Sequence, residues 1–337
     1  MKRQLSVIGL CLSVCFSSLS FAEEVNVYSA RKEALIKPLL DKFSAQTGIK
    51  VNLITGNADA LITRIQSEGQ FSPADILLTT DAGRLVRAKG AGITRKIADS
   101  VEVELVPSEL RDAENHWIGL TKRARPIMYA PDRVDVRSLD SMLDLADAKW
   151  QGQICIRSSS NIYNQSMVAA LMIENGSDTI EQWAKGIVTN LARTPKGGDR
   201  DQIKAVAAGQ CNIAVANTYY LAGMLSSDDA NEREQAAKVK VHWADKAGGT
   251  HVNISGIAVT QHAPNADQAQ RLVAFMLTPE SQQWYAQQNH EYPVVEGVAW
   301  SDLLTSFGAF EAQKVDLQKV GEQNAEALKL MDRAGWK

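Results

Sequence analysis

The sequence is short of the groups that most enzyme chemistry uses. Its five histidines (His116, His242, His251, His262, His290) include no HExxH and no i, i+4 pair that would set two imidazoles on one helix face. Each reads singly as a surface or internally satisfied residue. No GxSxG elbow, SxxK pair, Walker loop or GxGxxG stands in a supporting context, so hydrolase, kinase and dinucleotide chemistry have no candidate apparatus. Asp199-Arg-Asp201 follows Gly197-Gly198 but lacks the spacing of a calcium loop, and reads as a helix cap. Charge of one sign is not in excess either. The 36 basic and 39 acidic residues leave a net charge of −3, which gives no reason to expect nucleic acid or an anionic membrane surface as partner. Past the N-terminus no apolar run is long enough to cross a bilayer, and there are no tandem repeats, low-complexity segments or long linkers.

What is present begins with an address. Lys2 and Arg3 precede an apolar stretch from Leu5 to Phe16, and Ser20-Phe21-Ala22 supplies a small-x-small cleavage site. The segment reads as a secretory signal cut after Ala22. Leu10 and Val14 stand before Cys11 and Cys15, where a lipoprotein signal places a small residue, so the exported protein is expected to be free and soluble. Without Lys2 and Arg3, 34 basic residues face 39 acidic ones, a net of −5. Of the four cysteines only Cys155 and Cys211 remain in the mature chain. An oxidising compartment makes a Cys155–Cys211 disulfide the simple expectation, contributing roughly 4 kcal/mol by chain entropy. The alternative is two buried thiols.

The mature chain alternates short β-branched runs with amphipathic helical stretches, which implies an α/β fold with parallel pairing in its sheets. Val25 to Arg31 reads as a strand and turn. Lys32 to Phe43 reads as a helix burying Leu35, Leu39, Leu40 and Phe43, closed by Gly48. The run from Trp117 to Tyr129 has the length of a strand crossing between two domains, and Ile254 to Val259 reads as the return crossing. Gln313 to Met331 reads as helical. The expected division is 23–122 plus about 253–300 for a first domain, and 123–252 plus about 301–337 for a second.

Ligands of open α/β sheets bind outside the carboxyl ends of strands. The apolar run Cys211 to Ala216 ends at Asn217-Thr-Tyr219-Tyr220, two phenols at such an end. An internal echo supplies a third: Tyr163 follows Cys155 by eight residues, as Tyr219 follows Cys211. If the cysteines bridge parallel neighbouring strands, equal lengths of chain carry Tyr163 and the Tyr219–Tyr220 pair to one edge. Phenols can pack and hydrogen-bond, or they can hold a hard cation. A phenol titrates near 10, so ionisation at neutral pH needs a strong positive charge nearby, which a trivalent metal ion supplies. Three phenolates neutralise Fe(III). Spacing alone leaves packing and metal binding both open.

At these positions the chain resembles the periplasmic ferric-ion-binding proteins of bacterial iron ABC importers. The markers run in order along the whole mature chain: Val27-Tyr-Ser-Ala-Arg31, Pro73-Ala-Asp-Ile-Leu-Leu78, Gly119-Leu-Thr-Lys-Arg-Ala-Arg125, Cys155-Ile-Arg-Ser158, Gly197-Gly-Asp-Arg-Asp-Gln202, Asn217-Thr-Tyr-Tyr220, Asn253-Ile-Ser-Gly256 and Asn289-His-Glu-Tyr-Pro293. The resemblance implies a two-domain periplasmic-binding-protein fold, type II-like, that closes by a hinge. It implies Fe(III) on Tyr163, Tyr219 and Tyr220, with a carbonate or bicarbonate anion neutralised by Arg31 and by one of Arg123 and Arg125, of which Arg123 is chosen. It also implies a periplasmic location, an inner-membrane ABC permease as partner and a monomer without catalytic activity. Some relatives carry a His-Tyr pair after the first-strand arginine, where this chain has Lys32 and Glu33; whether Glu33 or Tyr28 adds a ligand is left open. The rival expectations are the same fold binding an organic or phosphorus-containing anion, and a secreted hydrolase, which lacks a nucleophile–base motif.

Overall fold

The computed structural model describes residues 23–244 and 246–337; the expected signal segment, 1–22, lies outside them. The described chain begins with β1 (Glu24–Ser29), α1 (Lys37–Thr47), β2 (Lys50–Thr55), α2 (Ala58–Glu68), β3 (Ile76–Thr80), α3 (Ala82–Gly90), β4 (Thr94–Arg95), α4 (Val101–Glu104) and β5 (Ile118–Ala124). It continues through β6 (Ile127–Tyr129), β7 (Ile154–Cys155), α5 (Ile162–Asn175), α6 (Ser177–Asn190), α7 (Asp199–Ala207), β8 (Ile213–Val215), α8 (Thr218–Leu225), α9 (Ala230–Ala237) and β9 (Lys240–His242). Last come β10 (Val252–Thr260), α10 (Ala266–Leu277), α11 (Pro279–Asn289), β11 (Tyr292–Pro293), α12 (Asp302–Ser306), α13 (Leu317–Glu322) and α14 (Asn324–Arg333).

Two mixed sheets result. The first has the order β11-β5-β10-β3-β1-β2, with β4 on β10; the second has the order β7-β8-β6-β9. β1 pairs in parallel with β2 and β3, as strand–helix–strand connections require, while β10 runs antiparallel between β3 and β5. Apolar side chains of β1, α1, β3 and β10, including Val27, Phe43, Ile76 and Ile257, form the main core of the first lobe. The second sheet is covered on both faces, by α5 and α6 through Val168 and Ile187 and by α7 and α8 through Ile203 and Leu221.

The chain passes between the sheets at Arg125-Pro126, returns at His251, and passes again after β11. The first two crossings are tied together, because the Arg125 N–H donates to the His251 carbonyl at 2.9 Å. The third is tied to the second: the Thr250 N–H donates to the Glu311 carbonyl at 2.8 Å, and the Gln313 N–H to the Thr250 carbonyl at 2.8 Å. Residues 311–313 are therefore extended, and the single helix expected over Gln313 to Met331 is instead α13 followed by α14. α13 lies between the lobes, with Leu317 in the first core and Val320 in the second. Its Gly321 permits this approach, since a Cβ there would meet Val86 at 2.6 Å.

The first helix also starts later than expected. Glu33–Leu35 forms one 3-10 turn and α1 begins at Lys37, with Pro38 in the first turn, where its fixed φ and missing N–H are tolerated. Leu35 is consequently 38% exposed rather than on the buried face, and Ile36 takes its place in the core.

Candidate metal centre

β7 and β8 are parallel neighbours, with Ile154 opposite Ile213 and Cys155 opposite Ala214. The Cys155–Cys211 disulfide pins them, with the Cα atoms 5.9 Å apart. Each strand feeds a helix: β7 leads to α5, with Tyr163 in its first turn, and β8 leads to α8, with Tyr219 and Tyr220 in its first turn. Helix N-termini favour negative charge, so a phenolate in either first turn is stabilised by the backbone dipoles. The Tyr219 and Tyr220 rings stand 4.3 Å apart, centroid to centroid.

Arg123 reaches this edge from β5 of the first lobe. Its guanidinium carbon lies 4.6 Å from the Tyr163 ring centre and 4.7 Å from that of Tyr219, and it donates to the Tyr219 hydroxyl. Asn217 Nδ2 also donates to that hydroxyl, at 3.3 Å. The structure thus brings Tyr163, Tyr219, Tyr220 and Arg123 together. Burial pushes the Tyr163 phenol up, but the Arg123 charge and hydrogen bond carry it down to about 8. Burial, with the neighbouring phenols, raises Tyr219 well above the ordinary phenol value in spite of Arg123. Burial, then Tyr163 and Asp199, push Tyr220 up to about 12.

Arg125 is only two residues along but has a different place, because β5 ends at Ala124 and the side chain beyond it enters the second lobe. It is buried there. Nη1 donates to Asp199 Oδ1 at 2.7 Å and to Asn217 Oδ1 at 3.1 Å, and Nη2 donates to Asn164 Oδ1 at 2.7 Å. Asn164 adjoins Tyr163 and Asn217 precedes α8, so one guanidinium locks both tyrosine-bearing helix starts. Arg157 Nη1 takes the other Asp199 oxygen at 2.7 Å. Burial works against the Asp199 carboxylate, but this pair of arginines holds it below the usual carboxylate range.

Arg31 is buried in the first lobe. Its Nη1 and Nη2 donate to Glu291 Oε2 at 3.1 Å and Oε1 at 2.9 Å, so its charge is already matched by a carboxylate of the same lobe. Glu33 is exposed in its 3-10 turn. Tyr28 is buried among Leu61, Ile62 and Ile65, with Arg64 4.9 Å above its ring, away from the tyrosine cluster. Among the described residues no group of three or more His, Cys, Asp or Glu is arranged to hold a metal ion. The three tyrosine hydroxyls follow the β7 and β8 strand ends, and oxygens of this kind suit hard cations.

A family model for bacterial extracellular solute-binding proteins matches residues 39–312. The chain belongs to that family. This solute-binding protein is 45% identical to "Iron uptake protein A1" of Synechocystis sp. over 94% of its own length and 88% of that protein's. Among solved structures it is similar to a Trichodesmium protein in complex with iron and citrate ligands, with a TM-score of 0.89, 46% identity and coverage of 93% and 100% of the two chains. The apo ferric ion-binding protein A of Pasteurella haemolytica superposes with a TM-score of 0.88 at 39% identity, over 94% and 98%. The two-lobed α/β architecture is the periplasmic-binding-protein fold, and its members carry solutes rather than transform them. Among the described residues of this solute-binding protein no helix is long and apolar enough to cross a membrane.

Several residues around the centre escape reasoning from the sequence. Asp199 sits in a motif that reads as a plain helix cap, and Asn164 and Asn217 look like ordinary turn residues. The one local signal is Asn217, which stands in the marker Asn217-Thr-Tyr-Tyr220. It does not disclose that Arg125 reaches the asparagine next to Tyr163 as well as Asn217.

Proposed function

We propose that this protein captures ferric iron in the periplasm through the phenolate oxygens of Tyr163, Tyr219 and Tyr220 and delivers it to an inner-membrane ABC permease. The observation that carries the reading is the convergence of three half-buried phenols, on the first turns of two disulfide-linked strand–helix units, around one arginine. The names of the similar proteins, iron uptake and ferric ion binding, support the same cargo. Arg123 supplies positive charge beside the phenolates, and a carbonate-type anion, where present, completes the coordination there without being required for loading. Arg31, the other residue expected in that role, has its charge matched by Glu291. The test is direct: ferric iron added to iron-stripped protein produces a visible tyrosinate-to-iron absorption, and metal analysis finds one iron per chain. A colourless protein that binds an organic or phosphorus-containing anion without iron would establish the rival cargo.

Proton release gives a second expectation. At neutral pH Tyr219 and Tyr220 are held above the ordinary phenol value and Tyr163 stands at about 8, so all three are mainly protonated. Loading three phenolates then releases three protons. Apparent ferric affinity falls by about a thousandfold for each pH unit below the Tyr163 value, and by about a hundredfold per unit above it, where Tyr163 is already ionised. Competition titrations against a chelator of known pH dependence measure the slope; a slope of one proton or fewer contradicts the three-phenolate site.

Two side-chain contacts join the lobes beside the site. We place the division at 23–124 plus 252–300 against 125–251 plus 301–337, following the crossings at Arg125 and His251. At the end of β3, Thr80 Oγ1 lies 3.5 Å from the Tyr163 hydroxyl, and one turn along α5 the Ser166 hydroxyl donates to Asp81 Oδ1 at 2.6 Å. Asp81 is buried with φ at +83°, a conformation that costs a non-glycine residue energy and is kept by its surroundings. The carboxylate also accepts from the Gly83 N–H at 2.9 Å and from Asn253 Nδ2 at 3.0 Å. Ser166→Ala removes the interlobe bond, worth about 1 kcal/mol, and shifts the iron-free protein about fivefold toward open forms. Small-angle scattering reads this as a larger radius of gyration; an unchanged curve removes Asp81–Ser166 from the closure mechanism.

A further inference from the structure

Glu291, the partner of Arg31, is one of the most heavily hydrogen-bonded side chains in the first lobe. It lies just before β11 and is 4% exposed. Arg31 engages both of its oxygens. The Thr121 hydroxyl donates to Oε2, and the Ser255 hydroxyl donates to the same oxygen at 3.3 Å. Thr121 lies on β5 two residues from Arg123, and Ser255 lies on the adjacent β10, opposite Thr121. Burial raises this carboxyl, but Arg31 and then Arg123 hold it below the usual carboxylate range.

This is the donor set an anion-binding pocket would present: a bidentate guanidinium, two hydroxyls and a second arginine behind them. An acid from the chain itself fills it. We propose that Glu291 is a resident anion, a positioning residue that neutralises Arg31 at the β5–β10 pair that also carries Arg123, and replaces the share of an external anion that Arg31 would otherwise hold. The inference rests on the ferric-tyrosinate reading and deepens it. The charge logic is local. Three phenolates neutralise a trivalent ion, so positive charge near the site beyond the Arg123 that bonds the phenols repels the cargo. Glu291 cancels Arg31, which leaves Arg123 as the arginine in contact with the tyrosines that lacks a carboxylate bond. A carboxylate tethered by the backbone costs no translational entropy to capture, so loading becomes nearly independent of dissolved bicarbonate.

The experiment compares ferric loading in buffer purged of carbon dioxide with loading in millimolar bicarbonate, the iron being supplied as ferrous sulfate oxidised in place. For the wild-type protein the charge-transfer band and the apparent affinity change less than about threefold between the two buffers. Glu291→Gln strips Arg31 of its counter-charge; affinity without bicarbonate falls by about tenfold or more, and bicarbonate restores it. Because a buried unpaired arginine can impair folding, the Arg31→Met/Glu291→Gln double variant is measured beside it. That variant has no charge to neutralise and loads without a bicarbonate response. A wild-type band that needs bicarbonate, a Glu291→Gln protein indifferent to it, or a double variant that still responds overturns the resident-anion role alone. No band in the wild-type protein under either buffer overturns the ferric-tyrosinate reading and this inference with it.

Discussion

Replacing Tyr219 and Tyr220 together by phenylalanine abolishes the coloured ferric complex and lowers iron affinity by more than about ten-thousandfold. The estimate takes each lost ligand at no less than the hundredfold that even an outer-shell partner of a metal can cost. The rings are half-buried at the rim of the second lobe, so their hydrophobic contacts survive the change. What is lost is two oxygens, the hydrogen bonds to the Tyr219 hydroxyl from Arg123 and from Asn217 at 3.3 Å, and nothing of the core. Arg123 then faces apolar rings and Tyr163 alone. Tyr129→Phe is the control, because Tyr129 packs beside His242 in β6 and β9, outside the cluster, and leaves the band in place. Visible spectroscopy with chelator competition reads the loss, and circular dichroism shows that the fold is kept. A band of wild-type intensity in the double variant would falsify the assignment of these two residues, whatever the cargo.

The second large effect is on stability. Replacing Cys155 and Cys211 by serine lowers the free energy of unfolding by about 4 kcal/mol, from the conformational freedom returned to an unfolded chain whose cross-linked residues are 56 apart. Urea titration detects it as a lower midpoint with an unchanged or slightly larger slope, and reducing agent reproduces it in the wild-type protein. The site feels the same change. The disulfide lies near the starts of β7 and β8, and eight residues beyond each cysteine stand Tyr163 and Tyr219. Slack in the register of these strands moves α5 against α8 and loosens the phenols. Ferric affinity falls in the serine variant even where the protein is fully folded. An affinity equal to that of the wild type would show that Arg125, through Asn164 and Asn217, holds the helix starts without help from the disulfide.

The two variants probe parts of the molecule that were unequally legible. The strand–helix alternation and the tyrosine echo follow from local rules. β-Branched runs and matched spacings act over a few residues and need no partner to be seen. α1 shows the limit of such rules, since an apolar period that included Leu35 yielded at the one turn where Pro38 sets the start. The C-terminal segment shows it again. Gln313, where the expected helix begins, is drawn with residues 311 and 312 into extended pairing with Thr250, and a distant backbone overrides a weak local preference.

Arginine placement was the least legible feature. Arg123 and Arg125 are alternate residues of one run and look equivalent. They differ because the strand ends between them, so one stays at the interlobe face beside the phenols and the other turns into the second lobe toward Asp199. The Arg31–Glu291 pair joins residues 260 apart in the chain, beyond the reach of any local rule.

By itself, then, the sequence determined the α/β class and the three phenols placed after strands, because each rests on spacing within one strand–helix unit, and it named Cys211 as the partner open to Cys155 because no other cysteine follows the signal segment. Only the tertiary structure decided which charge meets which: Arg123 with the tyrosines, Arg125 with Asp199, Arg31 with Glu291. The reason is physical. A buried ion needs a partner within a few ångströms, and that partner is chosen by how the sheets and crossings pack, not by its distance along the chain.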